Sequence, residues 1–181
     1  MRSLGLLAIA AIVGSAAAGS FSETESNNTI ASANDIGNFA YPGGSVLVSA
    51  ALGDNDVDWF GFTLNDSASL SVFAAFSPAA GDGILQIVTA GGDVIAFDDD
   101  SGVGFMPSLQ ISNLAAGTYY IGFSGFGDAF SNSVDTDELF DGIGHSENFD
   151  YKLAVGFSIV PAPASVAMLG LGGLMATRRR R

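Results

Sequence analysis

The sequence predicts a single all-β domain, a β-sandwich or jelly roll of about eight short antiparallel strands, with an apolar helix at each end of the chain. Apolar residues recur at every second position through the middle of the chain, which is the period of a half-buried strand. Gly, Asp, Asn and Pro interrupt these runs at short intervals, as turn residues do. The 181 residues include 14 Phe and 24 Gly, a composition that favours strands and turns over long helices.

The alternating pattern locates the eight strands along the chain. In order, they cover residues 45–49, 59–64, 69–74, 84–89, 93–97, 109–111, 119–123 and 151–158. Ala90-Gly91-Gly92 is typical of a short hairpin connection between the fourth and fifth strands. Residues 125–148 are rich in Asp, Gly and Ser, and they are predicted to form a long loop before the last strand.

The N-terminus has the three parts of a secretory signal peptide. Arg2 precedes an apolar run at 4–13, and Ala16-Ala17-Ala18 supplies the small residues of a cleavage site. About ten apolar residues are too few to cross a bilayer as a helix, which argues against a first transmembrane segment. We therefore expect residues 1–18 to direct export through the Sec translocon, and residues 19–158 to form the exported domain.

The C-terminus, residues 159–181, combines a proline motif, an apolar stretch and a basic end. Val160-Pro161-Ala162-Pro163 leads into an apolar, glycine-containing run at 166–176, and the chain ends in Arg178, Arg179, Arg180 and Arg181. By the positive-inside rule, such arginines stay cytoplasmic. This segment is therefore predicted to anchor an exported domain at the outer face of the inner membrane.

This three-part tail resembles the PEP-CTERM sorting signal. The resemblance implies that an exosortase, a membrane protease-transpeptidase, recognises the tail and processes the protein for release or surface attachment in a Gram-negative-type envelope. Ala162 stands where that family usually has Glu. The three parts nevertheless occur in the expected order at the extreme C-terminus.

Charge and composition exclude several classes of function. All 19 acidic residues lie between Glu23 and Asp150, and Lys152 is the one basic residue between the two terminal segments. No positive patch remains to bind a phosphate backbone, so nucleic-acid binding is not expected. Cysteine is absent, which excludes thiol nucleophiles, cysteine-based metal sites and disulfides.

Five segments of the middle region resemble, in order, the bacterial pre-peptidase C-terminal domain, a β-sandwich often appended to secreted proteases. They lie at 23–28, 53–62, 95–100, 115–121 and 151–155. The Asp-x-Asp-Trp-Phe and Ala-Gly-Thr-Tyr-Tyr motifs contribute most to the resemblance, which spans nearly all of 22–158. It implies a sandwich fold and a role in folding assistance, adhesion to matrix polymers or calcium binding.

The same resemblance implies a calcium site. Bacterial collagenases of this family bind calcium through a Glu-x-Glu-x-Asn-Asp stretch and an Asp pair that opens the aromatic strand. Matched position by position, the ligands in this chain are Glu23, Glu25, Asn27, Asn28, Asn55 and Asp58. Asn28 and Asn55 replace Asp, which removes negative charge and lowers the expected affinity. The alternative is a solvated acidic lead-in whose Asp residues form turns.

The other titratable residues give weaker signals. Residues 98–100 are three consecutive Asp at a strand end, for which an exposed turn is expected, and the acidic group at 135–141 lacks the pattern of an EF-hand loop. His145 is the one histidine of the chain, and we expect it to be exposed in the predicted loop. No nucleophile motif accompanies it, so the sequence does not predict an enzyme.

These features predict an exported, non-enzymatic protein of the cell envelope or extracellular matrix, stabilised by calcium and adhesive. Its expected partners are the exosortase, the translocon and the inner membrane during export, and exopolysaccharide afterwards. A carbohydrate-binding module acting on exopolysaccharide is the alternative, which a cluster of exposed aromatic rings on one sheet would favour. A hydrolase is the third reading, which convergent carboxylates in a cleft would favour.

Overall fold

Two five-stranded sheets face each other in the computed structural model, which describes residues 17–76, 81–129 and 138–159. The strands are β1 (Ala17–Ser22), β2 (Asn34–Phe39), β3 (Gly43–Leu52), β4 (Val57–Leu64), β5 (Ala68–Phe76), β6 (Gly83–Thr89), β7 (Val94–Asp98), β8 (Ser108–Leu114), β9 (Gly117–Ala129) and β10 (Phe149–Ile159). A short 3-10 helix, Ile30–Ser32, lies between β1 and β2. Its N-cap residue Thr29 accepts the Ser32 N–H through its side chain at 3.2 Å.

The two sheets have the same arrangement: in each, one of the last two strands of the sequence lies at the centre. The front sheet has the order β1-β3-β10-β5-β8, and the back sheet has the order β2-β4-β9-β6-β7. Central β10 and β9 are antiparallel to both of their neighbours. The pairs β1–β3 and β2–β4 are parallel. The chain passes repeatedly from one sheet to the other, and residues of both sheets form one core between them, so the fold is a sandwich.

The core lies between the sheets and follows the sequence alternation. In β3, Val46 and Val48 are buried, whereas Leu47 between them is exposed. Aromatic rings fill the centre, where Phe123 of β9 stacks on Tyr151 of β10 with 3.9 Å between ring centroids. Each fully buried apolar side chain of this kind stabilises the fold by about 1.5–3 kcal/mol.

A second apolar cluster lies on the outer face of the back sheet, and the segment 138–148 covers it. Phe140 of this segment packs against Trp59 of β4, with 6.5 Å between ring centroids. A side chain at Gly122 would place its Cβ 2.8 Å from the Trp59 ring, so the glycine in β9 makes room for the indole. Because both faces of β4 are covered, nearly all of its residues are buried, and burial does not alternate along it.

Buried polar groups attach this covering segment to the back sheet. Gln86 of β6 donates to the Glu138 carbonyl at 2.7 Å and accepts the Phe140 N–H at 3.3 Å. Asp128 of β9 accepts the N–H groups of Asp141 and Gly142, at 3.3 and 2.9 Å. Residues 138–148 are thus irregular in backbone but anchored by side-chain hydrogen bonds.

The structure confirms the all-β sandwich and corrects its details. The eight predicted strands correspond to β3–β10, but two further strands, β1 and β2, precede them. Both pair in parallel, so the sheets are mixed and not purely antiparallel. The predicted loop at 125–148 is shorter than expected, since β9 continues to Ala129.

The predicted terminal helices fall mostly outside the described residues. The signal peptide at 1–18 overlaps the structure only at its last two residues, Ala17 and Ala18, which begin β1 as strand and not as helix. The sorting segment at 159–181 overlaps it only at Ile159, which ends β10. Within the three described ranges, no helix is long and apolar enough to span a membrane.

Candidate metal centre

The acidic lead-in between β1 and the 3-10 helix lies along one end of the sandwich and contacts both sheets. Glu23 donates its N–H to the Ser49 carbonyl at 3.0 Å, and its carboxylate accepts the Ala51 N–H at 2.9 Å, both at the end of β3. Four residues later, the Asn27 carbonyl accepts the Trp59 N–H of β4 at 3.1 Å. The lead-in therefore joins the front sheet to the back sheet beside Asp58.

Three carboxylates meet at this point. Oxygens of Glu23, Glu25 and Asp58 all lie within 4.8 Å of one another. Burial raises the pKa of Asp58 to about 10, helped by hydrogen bonding to Glu23 and by the charge of Glu23. Burial also raises the pKa of Glu25, with the charges of Asp56 and Glu23 acting in the same direction. Carboxylates this close are compatible only if a proton or a cation lies between them.

Two buried oxygens at the cluster, Asn27 Oδ1 and Asp58 Oδ1, accept no hydrogen bond from any residue that the structure describes. Both side chains are fully buried, and in each the other polar atom is already engaged. The Asn27 amide nitrogen donates to Glu23 Oε1 at 3.0 Å, and Asp58 Oδ2 accepts the Tyr151 hydroxyl at 2.6 Å. Buried acceptors without donors are uncommon and costly in native proteins.

This donor set fits a hard cation. Calcium binds oxygen ligands from carboxylates, amides and carbonyls, which are the groups present here. Glu23, Glu25, Asn27 and Asp58 would hold the ion, and its charge would satisfy the two oxygens that lack donors. Among the residues that the structure describes, the grouped side chains are all carboxylates, a donor set that suits calcium better than zinc.

Two of the six ligands implied by the resemblance have other partners. Asn28 donates its side-chain amide to Asp56. Asn55 lies in the β3–β4 turn with a left-handed backbone (φ 53°), and its side-chain oxygen accepts the Gly144 N–H at 3.3 Å. The side-chain oxygen of Asn55 therefore binds the covering segment, whereas the Asn28 bond uses only the amide nitrogen, so the Asn28 oxygen stays a predicted ligand.

Asp56 has a larger role than the sequence indicated. Its carboxylate accepts the N–H groups of Gly53 and Val57, at 3.1 and 3.0 Å, besides the Asn28 amide. These bonds shape the turn that precedes Asp58. An Asp within a Gly-Asp-Asn-Asp stretch signals a turn, but it does not show that the lead-in would dock against that turn.

His145 is buried, with 4% of its surface exposed, which contradicts the exposed loop histidine predicted from the sequence. Its Nδ1 accepts the Glu147 N–H at 3.3 Å, and its Nε2 lies 2.7 Å from the Asp56 carbonyl. The Asp56 N–H also points at Nε2, at 3.2 Å, so both backbone polar groups of Asp56 face this ring nitrogen. The histidine therefore attaches the covering segment to the turn before Asp58.

A second group of carboxylates lies near the start of β6 and the end of β7, where oxygens of Asp82, Asp99 and Asp100 come within 4.8 Å of one another. Burial raises the pKa of Asp82 to about 6, with further contributions from the charges of Asp99, Asp100 and Glu147. Asp98 forms the expected turn, accepting the N–H groups of Ser101 and Ser108. Asp82 was not singled out from the sequence, because it lies far from 98–100 along the chain.

Comparison with known proteins gave structural matches only. No protein-family model matches the sequence, and no curated protein matches it significantly. A periplasmic inhibitor of g-type lysozyme from Aeromonas hydrophila, PliG, is 14% identical, with a TM-score of 0.46 over 69% of this chain and 96% of that one. The pre-peptidase C-terminal domain of a Bacillus anthracis collagenase is 15% identical, with a TM-score of 0.43 over 68% of this chain and 93% of that one. At this level of similarity, neither match assigns a family or a function to the chain.

Proposed function

We propose that this chain is an exported, non-enzymatic protein of the cell envelope or extracellular matrix whose sandwich is stabilised by calcium. The observation that carries the calcium proposal is the pair of buried oxygens without donors, on Asn27 and Asp58, among three carboxylates. A bound cation satisfies both oxygens and removes the repulsion between the carboxylates at the same time.

Calcium at this position stabilises the link between the two sheets. Glu23 is hydrogen-bonded to the end of β3 in the front sheet, and Asp58 belongs to β4 in the back sheet. An ion shared by both side chains adds a connection across this end of the sandwich. Since it binds the folded chain and not the unfolded one, it raises stability by mass action.

The proposal of export and sorting rests on the two terminal segments of the sequence. The n-region, apolar run and Ala-x-Ala site at 1–18 favour Sec-dependent export. The Pro-x-Pro motif, apolar stretch and arginines of 159–181 favour transient insertion in the inner membrane and processing by an exosortase-type protease. The strongly acidic, cysteine-free composition suits a soluble polymer-rich matrix, where divalent cations screen the charges.

One observation favours the second candidate, a carbohydrate-binding module. Phe105 and Phe126 are 60% and 47% exposed, and both flank the start of β6, where Gly83 donates to the Phe105 carbonyl and Phe126 donates to the Asp82 carbonyl. Exposed rings beside carboxylates are suited to stacking against sugars. Loss of exopolysaccharide retention in affinity electrophoresis for Phe105→Ala, but not for Tyr41→Ala, which changes another exposed ring, would favour this candidate.

Isothermal titration of the purified exported chain with calcium tests the metal proposal. We expect one saturable binding event in the wild-type chain, its loss in Asp58→Asn, and its retention in Asp54→Asn, which removes the same charge from an exposed turn position. Magnesium is expected to bind more weakly, because it prefers to keep several waters. Equal binding by all three chains, or none by the wild type, would overturn the proposal.

Cell fractionation tests the sorting proposal separately. We expect the full chain to reach the envelope or medium, and a variant with Arg178–181 replaced by Gln to lose inner-membrane retention. A chain that stays in the cytoplasm would contradict export but would leave the calcium measurement unaffected.

A further inference from the structure

The outer face of the front sheet differs from the rest of this acidic domain because it is almost free of charge. We call the outward-pointing residues of this sheet the front face. By register and exposure they are Ser20 and Ser22 of β1, Ser45, Leu47, Ser49 and Ala51 of β3, Asp150, Lys152, Ala154, Gly156 and Ser158 of β10, Ser69, Ser71, Phe73 and Ala75 of β5, and Ser108 and Gln110 of β8. Of these, only Asp150 and Lys152 are charged, and the two charges offset each other.

This charge distribution restricts how two copies of the chain can approach. With 19 acidic residues and a single lysine outside the terminal segments, most of the surface repels a second copy. The front face lacks this repulsion. The corresponding face of the back sheet is not available in the same way, since the segment 138–148 already covers it through Phe140.

Two exposed apolar side chains lie at the middle of the front face. In the sheet register, Ala154 of β10 pairs with Leu47 on one side and with Phe73 on the other, so the three form one row across the strands. Leu47 is 41% exposed and Phe73 is 45% exposed. Apart from Lys152, the neighbouring rows carry short side chains, Ser49 and Ala75 on one side and Ser45, Gly156 and Ser71 on the other.

The face is large enough for a specific contact. Five strands about 4.8 Å apart, with outward residues about 6.8 Å apart along each strand, give a face of about 24 by 25 Å. Two such faces bury about 1,200 Å² in total, which is at the lower end of specific protein interfaces.

We propose that two copies of this chain associate through their front faces, around a two-fold axis that runs along the Leu47–Ala154–Phe73 row. This axis keeps each residue of the row opposite its own counterpart, so the apolar side chains are buried together. It reverses the strand direction, which places Lys152 over Gly156 of the second copy, where no side chain obstructs the lysine. The proposal does not depend on calcium, because the metal cluster lies at the end of the sandwich.

The absence of cysteine allows a direct test by cysteine cross-linking. The full chain is expressed and exported with a single cysteine, and the reduced protein is treated with a short bis-maleimide linker. Ala154→Cys puts a thiol opposite its counterpart at the axis, and a linker of about 10 Å, the distance between sheets packed face to face, joins the two. Ser158→Cys is the matched control on the same strand and face, since the two copies of this residue would lie about 27 Å apart.

We expect about tenfold more cross-linked dimer for Ala154→Cys than for Ser158→Cys on a denaturing gel. Ala90→Cys, at the exposed β6–β7 turn, reports random collision and should match Ser158→Cys. Equal cross-linking by all three variants, or none by Ala154→Cys, would overturn the proposal.

Light scattering on the exported chain gives a second measurement without cysteine. We expect the wild type to be a dimer, Ala154→Asp to be a monomer because two carboxylates meet at the axis, and Ala90→Asp to remain a dimer. A wild-type chain that is monomeric at all concentrations would overturn the proposal. The same holds if the monomer binds exopolysaccharide through its front face.

Discussion

Tyr151 and Asp58 form a hydrogen bond across the core of the sandwich, with 2.6 Å between the tyrosine hydroxyl and Asp58 Oδ2. Tyr151 lies in β10 of the front sheet, and Asp58 lies in β4 of the back sheet. The bond fixes one oxygen of Asp58 and leaves the other toward Glu23 and Glu25. A contact inside the core therefore sets the position of a carboxylate in the candidate metal centre.

Removal of this hydroxyl should destabilise the fold. In Tyr151→Phe, Asp58 Oδ2 stays buried without a donor, and we expect a loss of about 1–3 kcal/mol in the free energy of unfolding, measured with urea. Tyr119→Phe is the matched control, since its hydroxyl donates to the Ala115 carbonyl at 3.1 Å near the surface. A Tyr119→Phe loss equal to that of Tyr151→Phe would contradict the special role of Tyr151.

The stability of the cation-free protein should fall as the pH rises. Asp58 has a folded-state pKa of about 10 against a reference value of 3.8, so the folded chain binds its proton more tightly than the unfolded chain does. This contribution is complete below about pH 4 and is lost as the pH rises toward 10. The raised pKa of Glu25 acts in the same direction.

Urea unfolding in chelator at pH 5 and pH 8 measures this effect. We expect the wild type to be less stable at pH 8, and Asp58→Asn to show a smaller difference because it cannot ionise. Calcium should stabilise the wild type more at pH 8 than at pH 5, since it competes with the proton. Wild-type protein that becomes more stable at pH 8 in chelator would contradict the raised pKa.

Phe140 should hold the covering segment on the back sheet. Phe140→Ala removes a buried ring next to Trp59, so we expect a loss of about 3 kcal/mol or more and a red shift of the fluorescence of Trp59, the one tryptophan of the chain. Ile143→Ala changes an exposed residue of the same segment and should cost less than about 0.5 kcal/mol. Unchanged Trp59 emission in Phe140→Ala would show that the segment does not shield the indole.

The second carboxylate group should destabilise the protein when no cation is present. Asp82→Asn removes one of three neighbouring charges, so in chelator at pH 8 we expect it to be more stable than the wild type. Near pH 4 the difference should vanish, because the folded-state pKa of Asp82 is about 6 and the wild-type side chain is then protonated. Asp54→Asn, at an exposed turn, should change stability less at either pH.

The fold followed from the sequence wherever one face of a strand is buried. Alternation at Val46 and Val48 located β3, because the side chains next to them, Ser45, Leu47 and Ser49, are exposed. β1 and β2 were missed because they are rich in Ser, Asn and Gly, and they join the sheets through parallel pairing with β3 and β4. Local periodicity does not report such long-range pairing.

Only part of the candidate site could be predicted from the sequence. The resemblance implied six ligands, of which the fold brings together the carboxylates of Glu23, Glu25 and Asp58. Asn27 is hydrogen-bonded to Glu23, whereas the Asn55 oxygen binds Gly144. The pairing of Asp82 with Asp99 and the burial of His145 depend on where β6 and the covering segment dock. Neither has a local signal, since each depends on residues distant in the chain.

Thermal unfolding of the exported chain with millimolar calcium and with chelator tests the central claim most directly. We expect calcium to raise the melting temperature of the wild type, as a ligand at 100 times its Kd adds about 2.7 kcal/mol. Asp58→Asn should show no rise, whereas Asn55→Ala, which changes a turn residue facing Gly144, should keep it. No calcium-dependent shift in the wild type, or the same shift in Asp58→Asn, would mean that the cluster of Glu23, Glu25 and Asp58 is not a calcium site.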